Sequence, residues 1–274
     1  MDENRALLER IAAALERIAP PAPRATDWLG PPAFRWDGGA AHAVDGPGAL
    51  PLDRLRGVDK QKHAVLSNLT RLAEGAASHD MLLWGARGMG KSALVQACVA
   101  ALEAQKPGRI ALVQLAAGSL ASFPDLVGQL ARQDRAFLLF IDDLGFAADG
   151  RADMLALRSL LDGGIIPRPP RVRIAVTSNR RAIVRREEAE AEALHQRDER
   201  DDALALADRF GLTVAFHPCD RETYLEILRG YTEPAGLAFD EEEALAFAIQ
   251  RGNRSGRTAL QFATELAGRA GKRL

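Results

Sequence analysis

The sequence is poor in the residues that build covalent or metal-based chemistry. Only two of its 274 residues are cysteine, Cys98 and Cys219, and neither has a partner at a spacing that suggests a disulfide framework or a zinc site. Both read as small core residues. The five histidines, His42, His63, His79, His195 and His217, are scattered and form no ligand pair at helical spacing. Charge of one sign is also missing. With 36 basic and 37 acidic residues the formal net charge is −1, so no global basic field draws the chain to nucleic acid or to an anionic membrane. Any basic patch must be local. No apolar run is long enough to span a bilayer and no signal peptide is recognisable, so no membrane partner is expected and a cytoplasmic location is the default. What the chain has is apolar mass: at 47% hydrophobic it can fill one large core or two modest ones.

The most informative stretch is residues 81–92, M-L-L-W-G-A-R-G-M-G-K-S. Gly85 is followed by Ala86, Arg87, Gly88 and Met89, and then by Gly90-Lys91-Ser92, which is the form of a phosphate-binding loop. Residues 81–84 are a short apolar run of strand type, and from Ala93 to 102 the apolar residues fall at helical spacing. A triphosphate needs many donors aimed at it at once. Glycines let the backbone wrap closely enough to point N–H groups at the phosphates, and the following helix adds its positive N-terminal end. Lys91 is then placed to pair with β- and γ-phosphate oxygens, and the Ser92 hydroxyl to hold Mg²⁺.

Around this loop the chain divides into segments. Residues 4–18 read as an amphipathic helix, with Leu7, Leu8, Ile11, Leu15 and Ile18 on one stripe and Glu9, Arg10, Glu16 and Arg17 off it. It is too short to be stable alone and is expected to dock on its own domain, a second subunit or a partner. Pro20, Pro21 and Pro23 stop it, and from there to 51 the chain is rich in Gly, Pro and Ala without a period, which reads as a linker arm. Trp28, Phe34 and Trp36 are unusual in such a stretch. An arm bearing them either packs back on its own domain or docks into a groove on a neighbour. Residues 52–59 lead into a helix to about 74. After the phosphate-loop helix, residues 109–115 read as a second buried strand and 123–132 as a helix.

Residues 137–143, F-L-L-F-I-D-D, describe a buried parallel strand ending in two acids at the carboxyl edge of a sheet, the edge where open α/β sheets bind ligands. Asp142 is placed to hold the water shell of Mg²⁺, and Asp143 to orient or deprotonate an attacking water. A helix over 154–161 is ended by Gly163-Gly164 and the prolines after it. Residues 172–179 form a strand ending in polar residues. There Asn179 is the candidate to hold the water or the γ-phosphate from the other side, the alternative being a turn or cap role for Ser178-Asn179. Residues 180–202 are densely charged and read as a solvated helix, although Arg180, Arg181, Arg185 and Arg186, with Arg168, Arg171 and Arg173, form the only basic cluster in the chain.

A helix over 203–210 ends in Asp208-Arg209-Phe210-Gly211, and 212–216 is a fifth strand. Three helices follow without strands, at 222–231, 241–250 (opened by Asp240, a good cap) and 258–272. The expected fold is a three-layer α/β/α sandwich with a five-stranded parallel sheet, followed by a small all-α lid. The expected segments are a helix at 1–19, a linker at 20–51, the α/β domain at 52–217 and the lid at 218–274.

In motif order, from about residue 52 to the C-terminus, the chain resembles the AAA+ ATPases of the P-loop NTPase class. Leu55-Arg56-Gly57-Val58 looks like the segment that lies along the adenine, with Leu55 and Val58 its apolar members. Residues 85–92 and Asp142-Asp143 match the Walker A and Walker B elements, and Asn179 matches sensor 1. Asp208-Arg209-Phe210-Gly211 is similar to the arginine-finger box and Gly256-Arg257 to the sensor 2 position. More narrowly, L-L-W-G-A-R-G-M-G-K-S, I-D-D-L, T-S-N-R-R, D-R-F-G and S-G-R-T-A-L-Q-F together resemble an uncharacterised bacterial family known only as an AAA+ domain of unknown function. Membership implies ATP and Mg²⁺ as ligands and ATP hydrolysis, and brings no known substrate. One departure matters. The second Walker B acid is usually Glu, and Asp143 is one methylene shorter, which implies looser water positioning and slow turnover.

Three functions are then open. The first is an oligomeric Mg²⁺-dependent ATPase that remodels or loads a protein partner, with Arg209 reaching the site of a neighbouring subunit and thereby implying a homo-oligomer. The second is a nucleic-acid loader using the arginines between Arg168 and Arg186, disfavoured by the neutral net charge and by the lack of an appended nucleic-acid-binding motif. The third is a nucleotide-gated binding module that hardly hydrolyses ATP, favoured by Asp143.

Overall fold

The computed structural model describes residues 2–18, 26–46, 48–116, 118–144, 157, 158, 160, 161, 168–179 and 207–274. The charged stretch at 180–202, the Gly163-Gly164 break and the prolines expected to stop the first helix lie outside the described residues.

Seven strands are described: β1 (Ala33–Trp36), β2 (Ala41–Val44), β3 (Met81–Gly85), β4 (Ile110–Leu115), β5 (Ala136–Ile141), β6 (Val172–Ser178) and β7 (Leu212–Phe216). They form one sheet in the order β2-β1-β4-β5-β6-β3-β7, parallel throughout except for the antiparallel β1–β2 pair. The expected five parallel strands are therefore present, and the count of five is corrected to seven. The two additional strands come from the stretch expected to be a linker. Asp37 turns the chain between them: its Oδ1 accepts the backbone N–H groups of Gly39 (2.9 Å) and Ala40 (2.8 Å), and Gly38 supplies a φ of 110°. Phe34 and Trp36 project from one face of β1 into the core, at 1% exposure each.

The arm leading to β1 is held from below by Arg135. This guanidinium is buried and donates to the backbone carbonyls of Trp28, Leu29 and Pro31 (3.0, 3.2 and 2.7 Å) and of Ile110 (3.0 Å), with Glu103 at 3.2 Å. Trp28 then packs on Phe34 and edge-on against Phe137, ring centroids 4.8 and 5.8 Å away. Of the alternatives for the aromatic arm, packing on its own domain is the one observed.

Successive residues of each strand face opposite sides of the sheet, and each side is covered. On one side Met81, Leu83, Leu138, Phe140 and Phe216 pack under α2 (Asp59–Ala73) and α3 (Lys91–Gln105). On the other, Leu82, Phe137, Leu139, Ile174 and Val176 pack against α4 (Phe123–Leu130) and the aromatic arm. Three further helices follow β7: α5 (Arg221–Thr232), α6 (Glu241–Gln250) and α7 (Gly256–Arg269). Each opens on a side-chain cap, with Asp220, Asp240 and Ser255 accepting the N–H of Thr223, Glu243 and Thr258. In the N-terminal helix, α1 (Asp2–Ile18), Leu7, Leu8 and Ile11 of the apolar stripe stand at 53%, 65% and 47% exposure. Among the described residues no helix is long and apolar enough to cross a membrane.

Candidate functional site

The sheet order makes β5, β6 and β3 neighbours, and parallel pairing brings their carboxyl ends to one edge. Each strand delivers one part there: residues 85–92 after β3, Asp142-Asp143 after β5 and Asn179 after β6. A cleft of about 360 Å³ opens between these groups and the helices after β7.

The loop can form only with glycines at its turning points. Gly85, Gly88 and Gly90 have φ values of 126°, 77° and 86°, and a Cβ at Gly85 would stand 2.0 Å from the Phe216 carbonyl oxygen. Gly90 delivers the chain into α3, so Lys91 and Ser92 occupy its first turn and Ala93 lines the cleft beside them. Lys91 is buried, and its Nζ donates to the carbonyls of Gly85 (3.0 Å) and Ala86 (2.9 Å) and to Asn179 Oδ1 (2.8 Å). Burial lowers the pKa of this ammonium, against the opposing pull of Asp143 and Asp142.

The two acids have different surroundings. Asp142 Oδ1 accepts two hydroxyls, Ser92 Oγ at 2.5 Å and Thr177 Oγ1 at 2.7 Å. Asp143 stands at a φ of 55°, and its carboxylate accepts Asn179 Nδ2 at 2.5 Å and lies 3.8 Å from the Arg87 guanidinium. Asn179 thus bridges Lys91 and Asp143.

The far side of the cleft comes from α5 and α7. The backbone N–H of Arg257 donates to the Gly88 carbonyl (3.1 Å), and a Cβ on Gly256 would meet that same oxygen at 3.1 Å, so the start of α7 rests directly on the loop. The exposed Arg257 side chain, Leu55, Val58, Ile227, Tyr231 and Leu260 line the remainder. Leu55 and Val58 are themselves buried.

Of the site residues expected from the sequence, all line this cleft except Gly85 and Ala86, whose carbonyls hold Lys91 from behind, and Arg209. That residue is exposed next to Phe210, which is buried on the α4 side of the sheet, and it is not among the residues that line the cleft. Thr177 was missed, although strand alternation places it on the same side of the chain as Asn179. Tyr231 and Ile227 were missed as well, because a buried apolar helix position carries no signal that it also borders a cleft. The described part of the basic cluster is taken up in structure. Arg168 makes a two-pronged pair with Asp80 (2.8 and 2.6 Å), Arg171 pairs with Asp134 (3.2 Å), and Arg173 donates to the carbonyls of Ser78 and Val172 (2.8 Å each).

A family described as "Protein of unknown function (DUF815)" matches residues 30–270. The chain belongs to the DUF815 family. No curated protein matches it. Among solved structures, the DUF815 chain is similar to the Thermotoga maritima RuvB Holliday junction branch migration motor, with 17% identity and a TM-score of 0.51 over 82% of this chain and 67% of that one. It is also similar to the Aeropyrum pernix ORC1 protein in complex with DNA, with 15% identity and a TM-score of 0.56 over 82% of this chain and 62% of that one. This DUF815 chain thus spans roughly two thirds of the length of either protein. At such identities the likeness is one of fold, and that fold is the AAA+ P-loop architecture.

Proposed function

We propose that this DUF815 protein binds ATP with Mg²⁺ in the cleft, hydrolyses it, and works as an oligomeric remodeller, loader or switch on a protein partner. The observation that carries this reading is the closed chain of contacts Lys91–Asn179–Asp143 beside Ser92–Asp142, at the mouth of a loop that three left-handed glycines shape. The donor set fits the ligands. Lys91 and the N–H groups at the start of α3 suit phosphate oxygens, while a hydroxyl beside a carboxylate suits a hard cation. Ser92 and Asp142 would hold Mg²⁺, which when bound supplies positive charge to the β- and γ-phosphate oxygens. Asp143 takes the part of water-orienting base, steadied by Asn179, and Leu55 and Val58 offer the apolar wall for the adenine. Arg257 answers the γ-phosphate from the lid. Arg209, outside the cleft of its own chain, completes the site of a neighbouring subunit.

The short reach of Asp143 makes this a slow ATPase. Steady-state phosphate release by wild type and Lys91→Ala tests hydrolysis: wild type is expected to exceed the variant clearly. Equal rates would leave only a nucleotide-gated binding module.

A second reading, as a nucleic-acid-associated loader, has one observation in its favour: the similar solved structures are a Holliday junction motor and a DNA complex. Against it stand the net charge of −1 and the internal pairing of Arg168, Arg171 and Arg173. Filter binding over a salt series separates the two readings, because phosphate contacts impose a steep salt slope.

A further inference from the structure

Thr177 lies on β6 between the strands that carry the loop and the two acids, at 2% exposure. Its hydroxyl makes two directed bonds. The hydroxyl proton goes to Asp142 Oδ1 (2.7 Å), and the oxygen accepts the backbone N–H of Asp143 (2.8 Å). Its own carbonyl accepts the N–H of Leu144 (2.9 Å). One residue therefore grips three consecutive residues, 142 to 144, beyond the end of β5. The carbonyl contact needs no particular side chain, whereas the other two need a hydroxyl. A valine would fill the same space and suit a buried strand equally well, so packing alone does not explain a threonine here.

We infer that Thr177 is the positioning residue that sets both acids of the site, an inference that rests on the nucleotide reading above. Two consequences follow from its contacts. Asp142 Oδ1 takes the hydroxyls of both Ser92 and Thr177, which fixes the carboxylate from one side and leaves Oδ2 out of both bonds. Ser92 would also be a ligand for the cation, whereas the Thr177 hydroxyl is committed to Asp142 and the Asp143 backbone. At Asp143 the backbone adopts a φ of 55°, which side-chain-bearing residues seldom occupy. The Thr177 hydroxyl ties down the N–H of that turned residue, and the turn aims the carboxylate at Asn179. Hydroxyl, backbone turn and carboxylate direction form one device, and the hydroxyl is its only part outside the Asp142-Asp143 pair.

Thr177→Val and Thr177→Ser decide the matter, with Thr177→Ala in reserve should the valine variant fail to fold. The first readout is the Mg²⁺ concentration at which a fixed level of ATP raises the melting temperature. The second is the split of phosphate release into kcat and KM. Thr177→Val is expected to need about tenfold more Mg²⁺ and to lose about tenfold or more in kcat, as removal of an orienting partner does at metal sites. KM for ATP and the ligand-free melting temperature should move little, and Thr177→Ser should return both readouts to near wild type. A valine variant with wild-type Mg²⁺ dependence and kcat overturns the inference while leaving the nucleotide reading intact. So does a serine variant as impaired as the valine one, since a packing role would behave that way. A wild type that binds no nucleotide overturns the nucleotide reading, and this inference with it.

Discussion

Two adjacent carboxylates with different neighbours are expected to respond differently to the same substitution. Asp143 touches Asn179 and Arg87, whereas Asp142 receives the hydroxyls of Ser92 and Thr177. Asp143→Asn is expected to keep ATP affinity within a few-fold of wild type and to lower phosphate release about a hundredfold, the usual effect of losing a general base. Asp142→Asn should instead raise the Mg²⁺ requirement first. Collapse of affinity together with turnover in Asp143→Asn would mean that the roles of the two acids are exchanged. The cysteines stand apart from this chemistry. Burial pushes Cys98 up to about 12 and Cys219 up to about 11, and the Cys219 Sγ faces the Arg254 carbonyl at 3.0 Å. A raised thiol pKa favours the neutral form in the fold, so its contribution to stability is complete below the ordinary thiol range and fades as pH climbs toward those values. Near neutral pH, alkylation of the native protein should leave both thiols unmodified, and alkylation in denaturant should modify both. Native labelling at the denatured rate would contradict their burial.

The strands that build the site were legible because they are uninterrupted apolar runs ending in distinctive residues. β3, β5 and β6 each fall within a residue or so of their expected limits. β1 and β2 were not legible as strands. Each is four residues long, Pro31-Pro32 precedes the pair, and Asp37-Gly38-Gly39-Ala40 divides it, so turn-forming composition hid the period of two carried by Phe34 and Trp36. Nor could the sequence show what pins the arm, because a lone arginine at 135 carries no pattern. Arg135→Ala removes four backbone contacts from a buried position and is expected to cost about 3 kcal/mol of stability. Urea unfolding followed by tryptophan fluorescence measures it, and a change within about 0.5 kcal/mol, the range of ordinary surface substitutions, would contradict the clamp. The start of α7 was expected at 258 and lies at Gly256, where a poor helix former is present because the helix end approaches the Gly88 carbonyl. Arg257→Ala should therefore leave the helix seated by its backbone contact and remove only the nucleotide response. Limited proteolysis around 218–222 with and without ATP reports this, and nucleotide protection equal to wild type would exclude Arg257 from the site.

The protein gathers residues from 50 to 260 into one cleft because three strands distant in sequence are neighbours in the sheet. Motif order made that convergence legible. Arg209 is the residue on which the oligomeric part of the proposal turns. Arg209→Ala is expected to bind ATP normally and hydrolyse it poorly. Mixing it with Lys91→Ala should restore activity, since mixed assemblies contain an intact Lys91 site facing an intact Arg209, and the rescue should vanish on dilution. A mixture that stays inactive while wild type is active and oligomeric would remove Arg209 from any shared site. Beneath all of these lies one claim, that residues 85–92 hold the phosphates of ATP. Equilibrium titration of wild type and Lys91→Ala with ATP in Mg²⁺ tests it directly. Wild type is expected to bind, and Lys91→Ala to fold but lose most of the affinity, because the proposal makes Lys91 the cation that faces the phosphates. Affinity in Lys91→Ala within a few-fold of wild type, or no binding by wild type at all, would contradict the account.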